Sequence, residues 1–265
     1  MRRLIPFVFA LCITLAALSP GASFARDKAK AEAARRTLVA AAIADTRRLP
    51  GDSDQDEWRR PQAVLEFAGV LPTMKVIDYI AGGGYYSELL ARIVGERGRV
   101  IAYNSPETRA FVSAEIKDRY AGERLPNVES LIASRDDVYL SMDSADLVLV
   151  IDVYHDLYLP GPAGKPAQDP RSAAAMIARA LHKGGVVVVQ DHVANPGGDA
   201  SAVAAALHRI DPAIVRKDFE AVGLEFEAES GALRNPADDH TRKVFEPGIR
   251  HRTDRFLYRF RKPAK

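Results

Sequence analysis

The chain has 265 residues, 47% of them apolar, with a single cysteine and a formal charge of +2. That length suits one large α/β domain behind a leader. The near-neutral balance argues against nucleic acid as a partner, and one cysteine excludes an internal disulfide.

Arg2 and Arg3 precede an apolar run from Leu4 to about Leu18, a Pro-Gly break and Ser23-Phe24-Ala25. This is the pattern of a signal peptide, residues 1–25, cleaved after Ala25. The run is shorter than the roughly 20 residues that span a bilayer, so no membrane anchor is expected after cleavage. Cleavage removes Cys12 and leaves 35 of the 37 basic residues against 35 acidic ones. A periplasmic or secreted protein without disulfides is expected.

Residues 26–70 read as a helical extension. "RDKAKAEAARRTLVAAAIADTRR" (26–48) is rich in alanine and charge, and Pro50-Gly51-Asp52 stops it. A second helix is expected over Glu57–Phe67, with Pro61 near its first turn. From residue 71 to 265 short apolar runs alternate with helical patterns, the signature of βαβ units. Strands are expected at 75–80, 99–103, 128–132, 145–151 and 185–191, and helices near 84–94, 106–119, 170–182 and 211–222. "ADLVLVI" and "GVVVVQ" are continuous apolar runs, as when both sheet faces are covered. "LEFEAE" and "DRFLYRFR" alternate with period two, so each should expose one face. The 152–169 segment reads as a loop.

Gly82, Gly83 and Gly84 follow the first strand directly. Ligands of open α/β sheets bind at such turns, where glycine lets the backbone approach closely. A dinucleotide fingerprint fails at Ser87, and the acid expected about 20 residues on is Asn104. A phosphate loop fails because no Gly-Lys-Ser/Thr follows.

"VIDYIAGGGYYSELLARIVGERGRVIAYN" (76–104) resembles motif I and strand two of the class I S-adenosylmethionine-dependent methyltransferases. The resemblance implies that Asp78, Gly82, Gly83 and Gly84 adjoin the methionine part of the cofactor. Two positions depart from it: Ile80 stands where a glycine is usual, and Asn104 where a ribose-binding acid is usual, although its amide can still bond a hydroxyl and is expected on the rim of the cofactor pocket. In "ASRDDVYL" it implies an acid near the adenine, Asp136 or alternatively Asp137. "GGGYYSELL", "VYHDLY", "QDHVA", "LHRIDP" and "LRNPADDHT…TDRFLYRFRKP" together resemble an exported bacterial subfamily of expected methyltransferases. The resemblance and the strand pattern imply a Rossmann-like, doubly wound seven-stranded sheet. Its last strand, 255–261, should run antiparallel between 185–191 and 224–229.

Methyl transfer from a sulfonium is an in-line displacement, so the protein must position the acceptor and can also remove its proton. Tyr154 and His155 past the fourth strand and His192 past the fifth are the catalytic candidates, His155 foremost as base or positioning group. Tyr85, Tyr86, Tyr154 and Tyr158 could wall the acceptor site. Asn235, Asp238, Asp239 and His240 lie where a loop could fold over it, and Asp211 reads as a helix cap before Pro212. Convergence of His155, His192, His208 and His240 with their aspartates would make a divalent-metal site. No tight ligand spacing marks one, so no metal ligands are expected. The expected activity is methyl transfer from S-adenosylmethionine to a small or medium-sized acceptor. The alternatives are an exported ligand-binding protein on the same fold and a metal-assisted hydrolase.

Overall fold

The computed structural model describes residues 20–135, 137–161 and 169–264. Among the described residues, those from 35 onward form one compact unit. The leader expected at 1–25 falls mostly outside the described residues. Helix α1, Pro20–Ile43, runs through the expected cleavage point. Among the described residues no helix is long and apolar enough to cross a membrane.

Seven strands build one sheet in the order β3-β2-β1-β4-β5-β7-β6. They are β1 (Lys75–Tyr79), β2 (Arg99–Asn104), β3 (Val128–Ile132), β4 (Ala145–Ile151), β5 (Leu181–His192), β6 (Glu225–Glu229) and β7 (Arg255–Arg261). Strands β1 to β5 pair in parallel, whereas β7 runs antiparallel to both β5 and β6. This is the topology expected from the sequence.

Alternation along the central strands divides the core between the two faces. Ile77, Val148, Val150, Val187 and Val189 point to one side, under α7 (Pro170–Ala180) and α9 (Pro212–Ala221). Val76, Leu147, Leu149, Val186 and Val188 point to the other, where α3 (Pro61–Ala68) and α4 (Tyr85–Val94) cover them. The middle of β4 is therefore buried on both faces, as its unbroken apolar run requires. β7 is more covered than its alternation suggests. It lies between two strands, so Phe256 and Leu257 enter opposite faces of the core.

Several helices end or break earlier than expected. α1 stops at Ile43, where the Arg48 guanidinium folds back on the Ile43 carbonyl at 2.7 Å and pairs with Asp56. The expected Glu57–Phe67 helix is two, α2 (Asp56–Arg59) and α3, because the residue before Pro61 is pushed out of the α region. Arg60 takes a left-handed backbone there, φ 49°. The 106–119 helix likewise divides at Val112 into α5 (Pro106–Phe111) and α6 (Ser113–Arg119). α8 (Ala200–Leu207) was not expected, although Asp199 caps it by accepting from the Ala202 N–H.

Candidate functional site

The turn between β1 and α4 opens on a cavity of about 790 Å³ at the carboxyl edge of the sheet. Gly82 and Gly83 line it with Asp78, Ile80, Tyr85, Tyr86 and Arg59. Gly82 has φ +57°, and a Cβ there would meet no atom within 4 Å, so it would project into free space. Gly84 differs. A Cβ on it would lie 2.6 Å from the Tyr120 hydroxyl and 2.7 Å from Arg119 Cδ, so this glycine serves packing and does not line the cavity.

Two side chains hold the turn. The Asn104 Oδ1 accepts from the Gly82 N–H at 2.9 Å, and Asn104 Nδ2 donates to the Gly82 carbonyl at 3.0 Å. Buried and committed at both ends, Asn104 braces the turn and does not stand on the cavity rim as expected. Arg119 donates to the Gly83 carbonyl while pairing with buried Asp52 and Glu88. Asp78 is buried and accepts from the Ser87 hydroxyl at 2.6 Å. Burial pushes its carboxyl up to about 6, against the Ser87 hydrogen bond. Arg59 faces the cavity with Gln55 at its Nε and its guanidinium over the Trp58 and Tyr85 rings, and it makes no ion pair among the described residues. Asp136 lies outside the described residues. Asp137 is exposed and hydrogen-bonded to Ser134, apart from the cavity.

A second cavity of about 360 Å³ adjoins the first, and Asp152, just past β4, lines both. Here the histidines converge. His155, His192, His208 and His251 line it with Asp156, Trp58, Thr253 and Arg255. The Asp191 carboxylate receives both the His155 backbone N–H and its Nδ1, each at 2.8 Å. His155 Nε2 lies 3.2 Å from Asp156 Oδ1 and 3.3 Å from His208 Nδ1. Burial works against charging His155, but Asp191 and Asp156 outweigh it and raise its pKa to about 10. His192 is the opposite case: burial keeps it below the ordinary range despite Asp152 nearby. Its Nδ1 meets the Thr253 hydroxyl at 2.8 Å, and its Nε2 lies 3.9 Å from Asp152.

Backbone strain gathers at these walls. Ile80, Asp152, His208 and His251 all have positive φ, between 53° and 66°, and all line one cavity or both. A β-branched residue such as Ile80 is an outlier in that region. It holds a left-handed backbone that glycine adopts without strain.

Some expected site residues lie elsewhere. Tyr154 is fully buried, and its hydroxyl donates to Asp218 at 2.9 Å, a carboxylate that Tyr158 shares. Both tyrosines belong to the core under α9 and line neither cavity, so Tyr154 is no catalytic candidate. The aromatic wall is Tyr85, Tyr86 and Trp58. His240 pairs with Asp254 at 3.0 Å and stands outside the histidine group. Asp238 pairs with fully buried Arg209, and Asp211 caps α9 as expected. Arg59, Asp152 and His251 were missed, though Asp152 sits directly at a strand end, where a reading by position could have found it.

Residues 77–189 match a family model described as a methyltransferase domain. The fold is shared with an S-adenosylmethionine-dependent methyltransferase from Aquifex aeolicus at 16% identity, covering 78% of this chain and 97% of that one, TM-score 0.52. A Mesorhizobium loti methyltransferase matches at 16% identity, over 80% of this chain and 100% of that one, TM-score 0.52. The [4+2]-cyclase SpnF matches at 15% identity, over 81% of each chain, TM-score 0.53. No curated protein sequence matches. Residues 77–189 thus carry a methyltransferase domain on the fold these structures share, and the cofactor such a domain implies is S-adenosylmethionine.

Proposed function

We propose that the protein methylates a small acceptor seated in the second cavity, and that it does so after export. The observation that carries this reading is the meeting of the two cavities at Asp152. A cofactor on the glycine turn and an acceptor among the histidines would face each other across that residue.

The residues present fit the cofactor. Gly82 offers open space where any side chain would intrude, and Arg59, stacked on aromatic rings but without an ion pair among the described residues, offers a cation for a carboxylate. When bound, S-adenosylmethionine supplies an electrophilic methyl group. Gly82 and Gly83 would hold it by backbone approach, with Asp78 and Arg59 at its charged end. Tyr85, Tyr86 and Trp58 exclude water around the junction.

His192 is the base. It is neutral at neutral pH and lines the acceptor cavity. With the Thr253 hydroxyl accepting from Nδ1–H, Nε2 presents its lone pair to an acceptor proton. His155, expected as the base, already holds a proton at neutral pH in the metal-free protein. It positions the acceptor instead. The leader-like N-terminus and the balanced charge that follows it support export.

A second reading, an exported binding protein without transfer, draws on Asn104: its amide is spent on Gly82, leaving the ribose without the usual acid. Release of S-adenosylhomocysteine from S-adenosylmethionine, measured over hydroxyl-, carboxyl- and amine-bearing acceptors, separates the two. We expect release with one class, reduced roughly 10²–10⁴-fold by His192→Ala at unchanged cofactor affinity. Tight cofactor binding with no release for any class would favour the binding protein.

A further inference from the structure

The geometry points to a mononuclear site for a divalent first-row transition-metal ion, held by His155 Nε2, Asp156 Oδ1 and His208 Nδ1. The three atoms form a triangle with edges of 3.2, 3.3 and 3.9 Å. An ion about 2.1 Å from each corner, the usual metal–nitrogen and metal–oxygen distance, touches all three. In the metal-free chain a proton shared among them satisfies the same atoms, and the ion replaces it.

Three further observations fit a ligand set. Asp191 grips His155 from behind, through Nδ1 and the backbone N–H, which fixes the tautomer that leaves Nε2 as the donor. This carboxylate–histidine arrangement is the usual outer support of a metal-bound imidazole. His208 is held in a left-handed backbone, φ 53°, at the end of α8, and that strained geometry brings its ring to His155. All three ligands line the second cavity, so the ion keeps open positions toward whatever occupies it. Two imidazoles and one carboxylate on one side of an ion suit zinc, iron, cobalt or nickel rather than calcium or magnesium.

The ion would therefore hold and polarise an oxygen or nitrogen of the occupant. This inference stands on the cluster alone and does not require methyl transfer. It is tested on the full chain, stripped by chelator, titrated with Zn²⁺ by calorimetry and with Co²⁺ by absorption. One ion per chain is expected. Asp156→Asn and His208→Asn, the latter tolerating the left-handed backbone, should each weaken binding at least about 100-fold. Asp191→Asn should weaken it about 10–100-fold, and His240→Ala should leave it unchanged. Zn²⁺ should raise the melting temperature of the parent and not of the Asp156 and His208 variants. Parent-like affinity in both those variants, or no saturable site in the parent, overturns the assignment.

Discussion

Asp78 shows what a single side chain concedes to its position. Its carboxyl is buried at the end of β1 with the Ser87 hydroxyl as partner, and burial raises it to about 6 from an ordinary 3.8. An acid raised in the folded state is penalised when ionised. The penalty is absent below the unfolded pKa, grows as pH rises between the two values and is complete above about 6. At roughly 1.4 kcal/mol per unit it reaches about 3 kcal/mol. Asp78→Asn keeps the acceptor for Ser87 and carries no charge. It should therefore be more stable than the parent at pH 7.5, with the gain shrinking as pH falls toward 4. Urea unfolding at the two pH values checks this, and an equal gain at both would contradict it. That Asp78 is kept charged at a cost fits a residue placed for a ligand rather than for the fold.

At the scale of elements, the β1–α4 turn is a composite whose parts come from distant sequence. β2 supplies Asn104, and α6 supplies Arg119. Asn104→Asp would restore the acid usual in methyltransferases, yet a carboxylate oxygen would then face the Gly82 carbonyl that Asn104 Nδ2 now serves. Loss of that bond should cost about 1–3 kcal/mol and weaken S-adenosylhomocysteine binding. Tighter binding at unchanged stability would show that Asn104 is a weakened ribose ligand, not a brace. The elements themselves were legible because alternation and apolar runs report burial directly, as "ADLVLVI" and "DRFLYRFR" did for β4 and β7. Breaks inside helices were less so. Pro61 was visible, but its effect on Arg60 was assigned to a first turn instead of a boundary. Nothing local marked Val112. The site was legible only in part: Gly82 and His192 follow from position at strand ends. The orientation of Tyr154 toward Asp218 depends on an element 64 residues away, and so cannot be read locally.

Across the whole molecule, buried charge ties the segments after β5 to the cavities. Fully buried Arg209 pairs with Asp238 at 2.8 Å and donates to the Val193 and Arg242 carbonyls, while Asp238 also accepts from the Asp254 N–H. This cluster fixes the chain leading to Val244, Phe245, His251 and Thr253, which wall the second cavity. Asp238→Ala leaves the guanidinium buried without its partner and should cost about 3–5 kcal/mol, read as a lowered denaturation midpoint. A change under about 1 kcal/mol would mean that the wall stands without the pair.

All of these levels converge on Gly82, the one position in the glycine turn whose missing side chain leaves open space at the larger cavity. Calorimetric titration of the full chain with S-adenosylhomocysteine, against Gly82→Val, tests that the cavity is the cofactor site. Saturable binding in the parent and its loss in a variant that still melts cooperatively is the result expected. Equal affinity in the two proteins, or no binding by the parent at millimolar ligand, would contradict it.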